Sequence, residues 1–329
     1  MTLASAPNNL QYLREVLKAY TLQVGDTKSY DLYPLVEGKN STNYLVVSSS
    51  QKYLLRVYHS LHSAQDENNI ERILKILIYC SSAGVLVPSP IENDKGKLAT
   101  AGIEQGQKNV YALFHFIEGK HYDGSLVQIR ALGRATGELH LVLANCTLPS
   151  PVQDEWAYAL LSPSEIADGR SLIPPEAVTM LLEEIRSART LPRGTLQLTH
   201  GDLHDKNTLF TVEKRAGFLD FDFMAKRGRM RDVAFCAFRH AIINNDAPAM
   251  ILQRIAFFIA GYREKNKLSN EERKLLPDFV KQEALHRISY ILRHATTKND
   301  RTWLSDLSKH LFHIQLIRKV FPEDWAGPL

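Results

Sequence analysis

The spacing of apolar residues changes near residue 117, and this change limits the possible folds more than any other feature of the chain. Before it, five runs show the alternation and flanking turn residues of strands, and helical repeats occur only at 8–20 and 66–84. The strand-like runs are YDLYPLV, NYLVV, KYLLRVY, KLATAGIEQ and NVYALFHFI. Short polar turns separate the first three runs, which predicts an antiparallel meander.

After residue 117 the helical spacing dominates. The predicted helices cover 124–144, 174–190, 231–244, 247–264, 271–294 and 300–320. One β segment interrupts them, in which TLQLTH, a short loop, TLFTV and GFLDFDF predict strands and a hairpin. The sequence therefore predicts an α+β protein of two lobes with a cleft between them. An antiparallel β-sheet lobe covers 1–117, and a mainly helical lobe covers 118–329.

Composition and charge exclude several classes of protein. The 40 Lys and Arg residues exceed the 36 Asp and Glu residues by only four, and the basic residues are scattered among acids. The tract KRGRMR therefore does not predict a nucleic-acid surface, although a binding isotherm steeply weakened by salt would favour that rival. Three widely spaced cysteines indicate buried free thiols in a reducing compartment. Without a secretion signal or a run of about 18 apolar residues, we expect a cytoplasmic protein that binds no membrane.

The segment 198–223, LTHGDLHDKNTLFTVEKRAGFLDFDF, carries the chemistry. Asp202 and Asn207 lie on a loop, and Asp220 and Asp222 lie at the far end of the hairpin that the loop enters. A hairpin returns its ends to one neighbourhood, so these oxygens can converge. Carboxylate and amide oxygens suit Mg²⁺, and a carboxylate that is not a metal ligand can accept the proton of an attacking hydroxyl. For any one of these residues alone, capping of a turn is the simpler interpretation.

This pattern resembles the aminoglycoside phosphotransferase and choline kinase superfamily, which are small-molecule relatives of protein kinases, and most closely its type II homoserine kinase-like members. The motif residues are His200, Gly201, Asp202, Leu203, His204 and Asn207, then Leu219, Asp220, Phe221 and Asp222, then Asp232, Val233 and Ala234. The resemblance implies a protein-kinase-like bilobal fold, with Asp202 as catalytic base and Asn207 and Asp220 as metal ligands. Whether Asp222 is a direct ligand stays open. Asp232 is expected to order the catalytic loop and cap the following helix.

The same resemblance implies a nucleotide site in the amino-terminal lobe. The turn EGKNST, with Gly38, Ser41 and Thr42, would lay backbone N–H groups over phosphates. Arg56 stands where related folds have a strand lysine, although Lys52 or Lys39 can share that role.

The ion-pair partner and the hinge follow from the same comparison. The glutamate expected to pair with Arg56 is Glu71, preferred over Glu67, which lies one turn away on the same helical face. The segment ALFHFIEGK resembles the family's hinge, so the backbone of His115 and Ile117 would bind adenine, with Phe114 behind the pocket.

Several side chains allow two interpretations. His200 and His204 have a zinc-like spacing, but the glycine and turn between them favour a loop-fixing role for His200 and a place near substrate for His204. Arg229 and Arg231 can meet an anionic substrate group or lie on a solvated loop; we assign Arg231 to the substrate. Three aromatic residues can either form a cage for a quaternary amine or pack in the core between helices. They are Tyr290, Trp303 and Trp325.

The predicted function is ATP- and Mg²⁺-dependent transfer of a phosphoryl group to a hydroxyl group of a small molecule. A homoserine-like hydroxy amino acid or an amino alcohol is favoured as acceptor. An aminoglycoside phosphotransferase is the alternative. It is less favoured, because an aminoglycoside pocket usually needs several acids and residues 265–329 are mixed in charge. A catalytically silent, nucleotide-binding scaffold is the rival from another class. The sequence does not decide between ATP and GTP, or between a monomer and a homodimer.

Overall fold

The chain divides into two compact units. The computed structural model describes residues 10–20, 30–35, 41–48, 51–59, 64–104, 106–152, 159–192, 194–244, 246–297, 301–321 and 325. The first unit comprises Met1–Gly119 and Cys146–Pro151, and the second comprises Lys120–Asn145 and Val152–Leu329. The segment Cys146–Pro151, which sequence analysis assigned to the helical part, groups with the first unit, where Arg72 donates a hydrogen bond to the Ser150 carbonyl (3.2 Å).

The first unit is an antiparallel sheet with helices. Its elements are α1 (Leu10–Leu17), β1 (Tyr30–Pro34), β2 (Ser41–Ser48), β3 (Lys52–Tyr58), α2 (Ala64–Ser82), β4 (Pro90–Ile91), β5 (Thr100–Glu104) and β6 (Gln107–His115). The strand order is β1-β2-β3-β6-β4, and β5 pairs with the free edge of part of β6. The meander β1-β2-β3 is confirmed. Sequence analysis missed β4 because a two-residue strand containing proline shows no alternation.

The core of the first unit forms where the sheet meets α1. Leu55 of β3 and Leu113 of β6 are completely buried and belong to one apolar cluster with Leu13 and Leu17 of α1. Because β3 has partners on both sides, Arg56 lies inside the sheet and is buried, instead of lying on an edge strand.

The second unit is mainly helical. Its helices are α3 (Leu126–Ala144), α4 (Pro163–Asp168), α5 (Pro175–Arg189), α6 (Met230–Ala237), α7 (Pro248–Arg263), α8 (Asn270–Lys274), α9 (Leu276–Thr297) and α10 (Leu307–Val320). Its strands are β7 (Leu196–Thr199), β8 (Thr208–Phe210), β9 (Ala216–Phe218) and β10 (Ala225–Gly228). The predicted hairpin is β8-β9, whereas β10, which pairs with β7, lies where sequence analysis predicted only a basic loop.

Close packing of α3 on α7 supports the region of the predicted catalytic loop. A Cβ atom at Gly133 would lie 2.0 Å from the Phe258 carbonyl oxygen, and one at Gly137 would lie 2.5 Å from that of Tyr262. These glycines therefore let the two backbones touch, which is the packing role expected from the sequence. The contact also brings His140 Nδ1 within 2.9 Å of the Tyr262 hydroxyl.

The predictions about membrane-spanning segments and free cysteines can be compared with the structure. Among the residues with a described structure, no helix combines the length and apolar character needed to cross a membrane. Cys80 and Cys236 are buried free thiols, whereas Cys146 follows the end of α3 and is only half-buried.

Candidate active site

A buried carboxylate holds the loop that follows β7. Asp232 is 1% exposed, and its two oxygens accept hydrogen bonds from the backbone N–H groups of His200 (2.7 Å) and Gly201 (2.9 Å). His140 Nε2 lies 3.1 Å from the same carboxylate. Asp232 thus orders the loop as expected. It lies within the first turn of α6 and makes no capping bond, so the capping half of that prediction is wrong.

These hydrogen bonds also determine the charge state of Asp232. Burial alone raises the pKa of the carboxyl group, but the bonds from His140 and Gly201 outweigh burial, and the pKa lies below its ordinary value. Asp232 therefore stays ionised at neutral pH, as a fixed negative charge beneath the loop.

The Gly201 position requires glycine. Its φ of +85° lies in the left-handed region, and a Cβ atom there would come 2.3 Å from the Phe223 carbonyl oxygen. Any side chain would push the loop off Asp232.

His200 joins this loop to the β9 end of the hairpin. Its Nε2 donates to the Leu219 carbonyl (3.0 Å), and its Nδ1 accepts the Asp202 backbone N–H (3.2 Å). The ring also packs on Phe221, at 4.3 Å between centroids. Burial lowers the pKa of His200, so the ring is neutral. Both ring nitrogens are occupied, and the loop-fixing role is confirmed.

Asp202 and Asn207 form the centre of the site. Asn207 Nδ2 donates to both the carbonyl oxygen (3.0 Å) and the Oδ2 atom (3.1 Å) of Asp202. His204 Nε2 lies 3.4 Å from the same carboxylate, whose side chain is 22% exposed. A carboxylate that is held by an amide and reaches solvent can accept a proton from a bound hydroxyl.

The hairpin brings Asp220 beside Asn207. The Leu219 N–H donates to the Asn207 carbonyl (2.8 Å), which places Asp220 one residue from that contact. Asp220 has a φ of +60°, in the left-handed region that few residues other than glycine adopt. Sequence analysis extended the strand through Phe223, but β9 ends at Phe218, and the half-buried Asp220 and Asp222 lie in the turn beyond it.

The donor set suits a hard cation. Because Asn207 uses its amide nitrogen on Asp202, its amide oxygen is the remaining polar atom of that side chain. The carboxylates of Asp220 and Asp222 follow the strand that the hairpin returns to Asn207. Oxygen ligands of this kind fit Mg²⁺ that also binds phosphate oxygens. No group of three or more His, Cys, Asp or Glu side chains arranged to hold a metal occurs in the described ranges.

A cavity of about 520 Å³ opens next to Asp202 in the second unit. His204 and Arg231, the predicted substrate residues, line it together with side chains from α9 and α10. Of the three aromatic candidates, Tyr290 and Trp303 line this cavity. Trp325 instead donates its indole N–H to the Arg273 carbonyl (2.9 Å).

The two arginines before and within α6 have different surroundings. Arg229 makes a two-point ion pair with Glu272 (2.8 and 2.7 Å) and also bonds Asn266, so it ties α6 to the α7–α8 connection. This excludes both roles that the sequence left open for Arg229. Arg231 faces the cavity, 3.9 Å from the buried carboxylate of Glu283.

The predicted phosphate-covering turn is only partly described. Gly38 and Lys39 lie outside the described residues. Ser41 and Thr42 belong to β2, not to the turn, and both are buried; the Thr42 hydroxyl lies 2.7 Å from His59 Nε2. Ser41 and Thr42 are extended because they pair with the end of β3. This pairing carries the β ladder into the polar sequence that looked like a turn.

The predicted Arg56–Glu71 ion pair is not formed. Glu71 binds Lys75 one turn along the exposed face of α2 (2.6 Å), and Glu67 binds Lys108. All these residues are described, and neither glutamate pairs with Arg56, whose guanidinium lies 5.0 Å from the centroid of the Tyr58 ring. The alternative Lys52 pairs with Glu118 (2.6 Å) at the exposed start of β3.

The predicted hinge begins in the mostly buried strand β6, and one of its backbone N–H groups already makes a hydrogen bond within the protein. Phe114 is 3% exposed in β6, as a residue behind a pocket should be. The backbone N–H of His115, however, donates to the Ser89 carbonyl (3.0 Å), so it is not free for adenine. Ile117 follows the end of β6 and lies beyond the ladder.

Sequence analysis missed the charged residues that α9, α10 and the short helical segments after α6 and before α10 bring to the cavity. They include Arg239, Glu283, Arg287, Asp306 and Lys309. The only available signal was a charge next to buried positions of an amphipathic helix, as at Arg287 between His286 and Ile288. Such a charge is more often at the edge of a solvated face, so the pattern carried no specific meaning.

The chain matches a known protein family. The model of the phosphotransferase enzyme family matches residues 31–266, which include the sheet, the loop after β7 and the hairpin β8-β9. A homoserine kinase of Rhodopseudomonas palustris (strain BisA53) is 27% identical over 284 residues, which cover 83% of this chain and 81% of that protein.

Two solved structures share the fold. An amicoumacin kinase in complex with AMP-PNP and Ca²⁺ has a TM-score of 0.68 at 17% identity, covering 97% of this chain and 96% of that one. A microcompartment-associated aminopropanol kinase has a TM-score of 0.64 at 20% identity, covering 93% and 94%. At such identities the likeness shows the fold alone, and it confirms the predicted protein-kinase-like α+β class.

Proposed function

The chain belongs to the phosphotransferase enzyme family and is a small-molecule kinase, and from this premise we propose that it uses ATP and Mg²⁺ to phosphorylate a hydroxyl group of a small amino acid or amino alcohol. The single observation that carries the proposal is the Asp202 carboxylate, which is held by Asn207, lines a cavity and lies on a loop fixed by Asp232.

In this proposal Asp202 is the catalytic base. Its carboxylate accepts the acceptor's hydroxyl proton and orients the oxygen for attack, with the amide of Asn207 keeping it in place. His204, 3.4 Å from Asp202, contacts the acceptor beside the reacting hydroxyl. The buried negative charge of Asp232 keeps the loop in position through the reaction.

Asn207 and Asp220 would hold Mg²⁺, with Asp222 as a third oxygen donor or a neighbour of the ligands. When bound, the ion would neutralise charge on the nucleotide phosphates. Arg56 is proposed to contact the phosphates, and Phe114 and the backbone of Ile117 are proposed to contact the adenine ring. Catalysis of this kind depends mainly on positioning and electrostatics, which a preformed loop supplies.

The charges of the cavity support a small acceptor over an aminoglycoside. Five cationic side chains line it, and of its four acids Asp232 is engaged by the loop and Asp202 is the proposed base. A polycationic aminoglycoside would meet repulsion there. The homoserine kinase relative at 27% identity points to the same acceptor class.

An ADP-release assay with MgATP tests the proposal. The acceptors to screen are hydroxy amino acids, amino alcohols, sugars and aminoglycosides, and we expect turnover with a member of the first two classes. Thermal-shift titration with MgATP in parallel separates nucleotide binding from turnover. Stabilisation by MgATP without ADP release for any acceptor would contradict a kinase and favour the silent scaffold.

A further inference from the structure

Arg287 stands out among the arginines of the second unit. It lines the cavity beside Asp202, and its Nε is buried without a hydrogen bond. Within the described part of the chain, no hydrogen bond or ion pair engages its guanidinium; its one charge-related contact is the Tyr290 ring, 5.6 Å away. Other arginines of this unit are paired with acids. They are Arg130 with Glu264, Arg229 with Glu272, Arg239 with Asp205, and Arg293 with Glu165.

An unpaired guanidinium in such a place is costly for the protein. Arginine stays charged at any physiological pH, and the buried Nε donor of Arg287 loses water without gaining a protein acceptor. Burial and the charge of Arg239 lower the pKa of Arg287, in agreement with this unpaired environment. The negative charges of Asp202 and Asp306 raise the pKa of Arg287, but neither carboxylate makes a hydrogen bond or an ion pair with it.

The cost is offset if a ligand brings the missing acceptors. We propose that Arg287 binds the carboxylate of the acceptor, so that the enzyme selects hydroxy acids that carry a carboxylate over amino alcohols that lack one. A guanidinium binds a carboxylate through two parallel hydrogen bonds, and its rigid fork then fixes the orientation of the acceptor. The acceptor's hydroxyl group would reach Asp202 in the same cavity. This inference rests on the proposed kinase function.

A neighbouring acid completes the charge pattern. Glu283 is 4% exposed, and its Oε1 atom makes no hydrogen bond among the described residues, with Arg231 at 3.9 Å. The cavity therefore offers both a half-buried cation, Arg287, and a buried anion, Glu283, which suits a zwitterion better than a simple amine.

Matched acceptor pairs isolate the carboxylate. The pairs are L-homoserine with 3-aminopropan-1-ol, L-threonine with 1-aminopropan-2-ol, and L-serine with ethanolamine, because each second member is the first without its carboxylate. Calorimetry of the full chain with Mg²⁺ and AMP-PNP measures the dissociation constants without turnover. In at least one pair, we expect the carboxylate member to bind roughly 10- to 100-fold more tightly, which is the effect of one charge-assisted pair.

The variant Arg287→Gln should abolish this difference, and Arg287→Lys should restore part of it. Arg263→Gln, an exposed arginine of α7, is the matched control and should keep the full difference. The unfolding temperature of Arg287→Gln should equal or exceed that of the wild type, because an uncompensated charge is removed.

Three binding results would overturn the proposal, and one turnover result would do so as well. The first is equal binding of the two members, or no binding, in every pair. The second is a preference that persists in Arg287→Gln. The third is an equal loss of affinity for both members of a pair in Arg287→Gln, together with weaker AMP-PNP binding. That result would assign Arg287 to the nucleotide phosphates. Phosphorylation of an amino alcohol as efficient as that of its carboxylate partner would reject the carboxylate site while leaving the kinase function intact. Failure of ADP release with every acceptor would reject the kinase function itself, and the calorimetric result would still stand.

Discussion

The catalytic loop and the β3–α2 region differ in how closely the sequence predicted their contacts. In the loop, the expected partners are in contact: Asn207 with Asp202, and Asp232 with the backbone of His200. In the β3–α2 region, the expected partners Arg56 and Glu71 are apart, because Glu71 faces solvent with Lys75. The loop contacts run through backbone groups, two of which Asp232 binds from α6, whereas the strand–helix pair depends on how a helix is rotated over a sheet.

The largest effect is expected from Asp202→Asn, which keeps the shape of the loop and removes the base. The turnover number should fall by about 10²- to 10⁴-fold, with little change in thermal unfolding. The exposed Asp168→Asn at the end of α4 is the control. Near wild-type turnover would show that the loop is well ordered for a reason other than proton transfer.

Removing the charge beneath the loop should lower stability. Asp232→Ala leaves two buried backbone N–H groups and His140 without their acceptor, so the free energy of unfolding should fall by about 3–5 kcal/mol. Urea denaturation measures the change, and Asp168→Ala should alter it by less than ~0.5 kcal/mol. A loss as small as that of the control would mean that the loop does not depend on Asp232.

The β3–α2 region gives the sharpest test of the comparison. Arg56→Gln should raise the KM for ATP by roughly 10-fold, since a charge-assisted phosphate contact is lost. Glu71→Gln should leave KM within about two-fold, because the exposed Glu71–Lys75 pair is worth under ~1 kcal/mol. Equal increases in both variants would indicate that nucleotide binding rotates α2 and forms the ion pair after all.

A pH-dependent effect on stability should arise from the buried rings of His310 and His313 on α10. Burial, the largest cause, lowers the pKa of His310 to about 3 and that of His313 to about 4, and Arg287, Arg239 and Lys309 oppose protonation as well. Between those values and the ordinary value near 6.5, the unfolded chain binds more protons than the folded chain.

Stability should therefore fall as the pH falls below about 6.5, by up to ~1.4 kcal/mol per pH unit for each ring. Thermal unfolding measured from pH 7.5 to 5 checks the slope. His313→Gln should reduce it, and His115→Asn, an exposed ring, should not. An unchanged slope in His313→Gln would show that other groups control acid stability.

Much of the fold could be predicted because it depends on local patterns. The meander β1-β2-β3 and the hairpin β8-β9 followed from alternation and turn residues. The strand β10 could not be predicted, because its residues are polar and its only reason to be extended is the partner β7. Ser41 and Thr42 were misassigned for the same reason, since pairing with β3 overrides a turn-like composition.

The sequence by itself determined the catalytic loop, since its few residues are close along the chain and the hairpin must bring Asp220 back to Asn207. Only the tertiary structure decided which side chains share a cavity with Asp202. Arg231, Glu283 and Arg287 come from α6 and α9, and each is an ordinary charge on an amphipathic helix until packing turns it towards the cavity. Helical periodicity states which residues share a face, but the neighbours of that face depend on contacts between residues far apart in the chain.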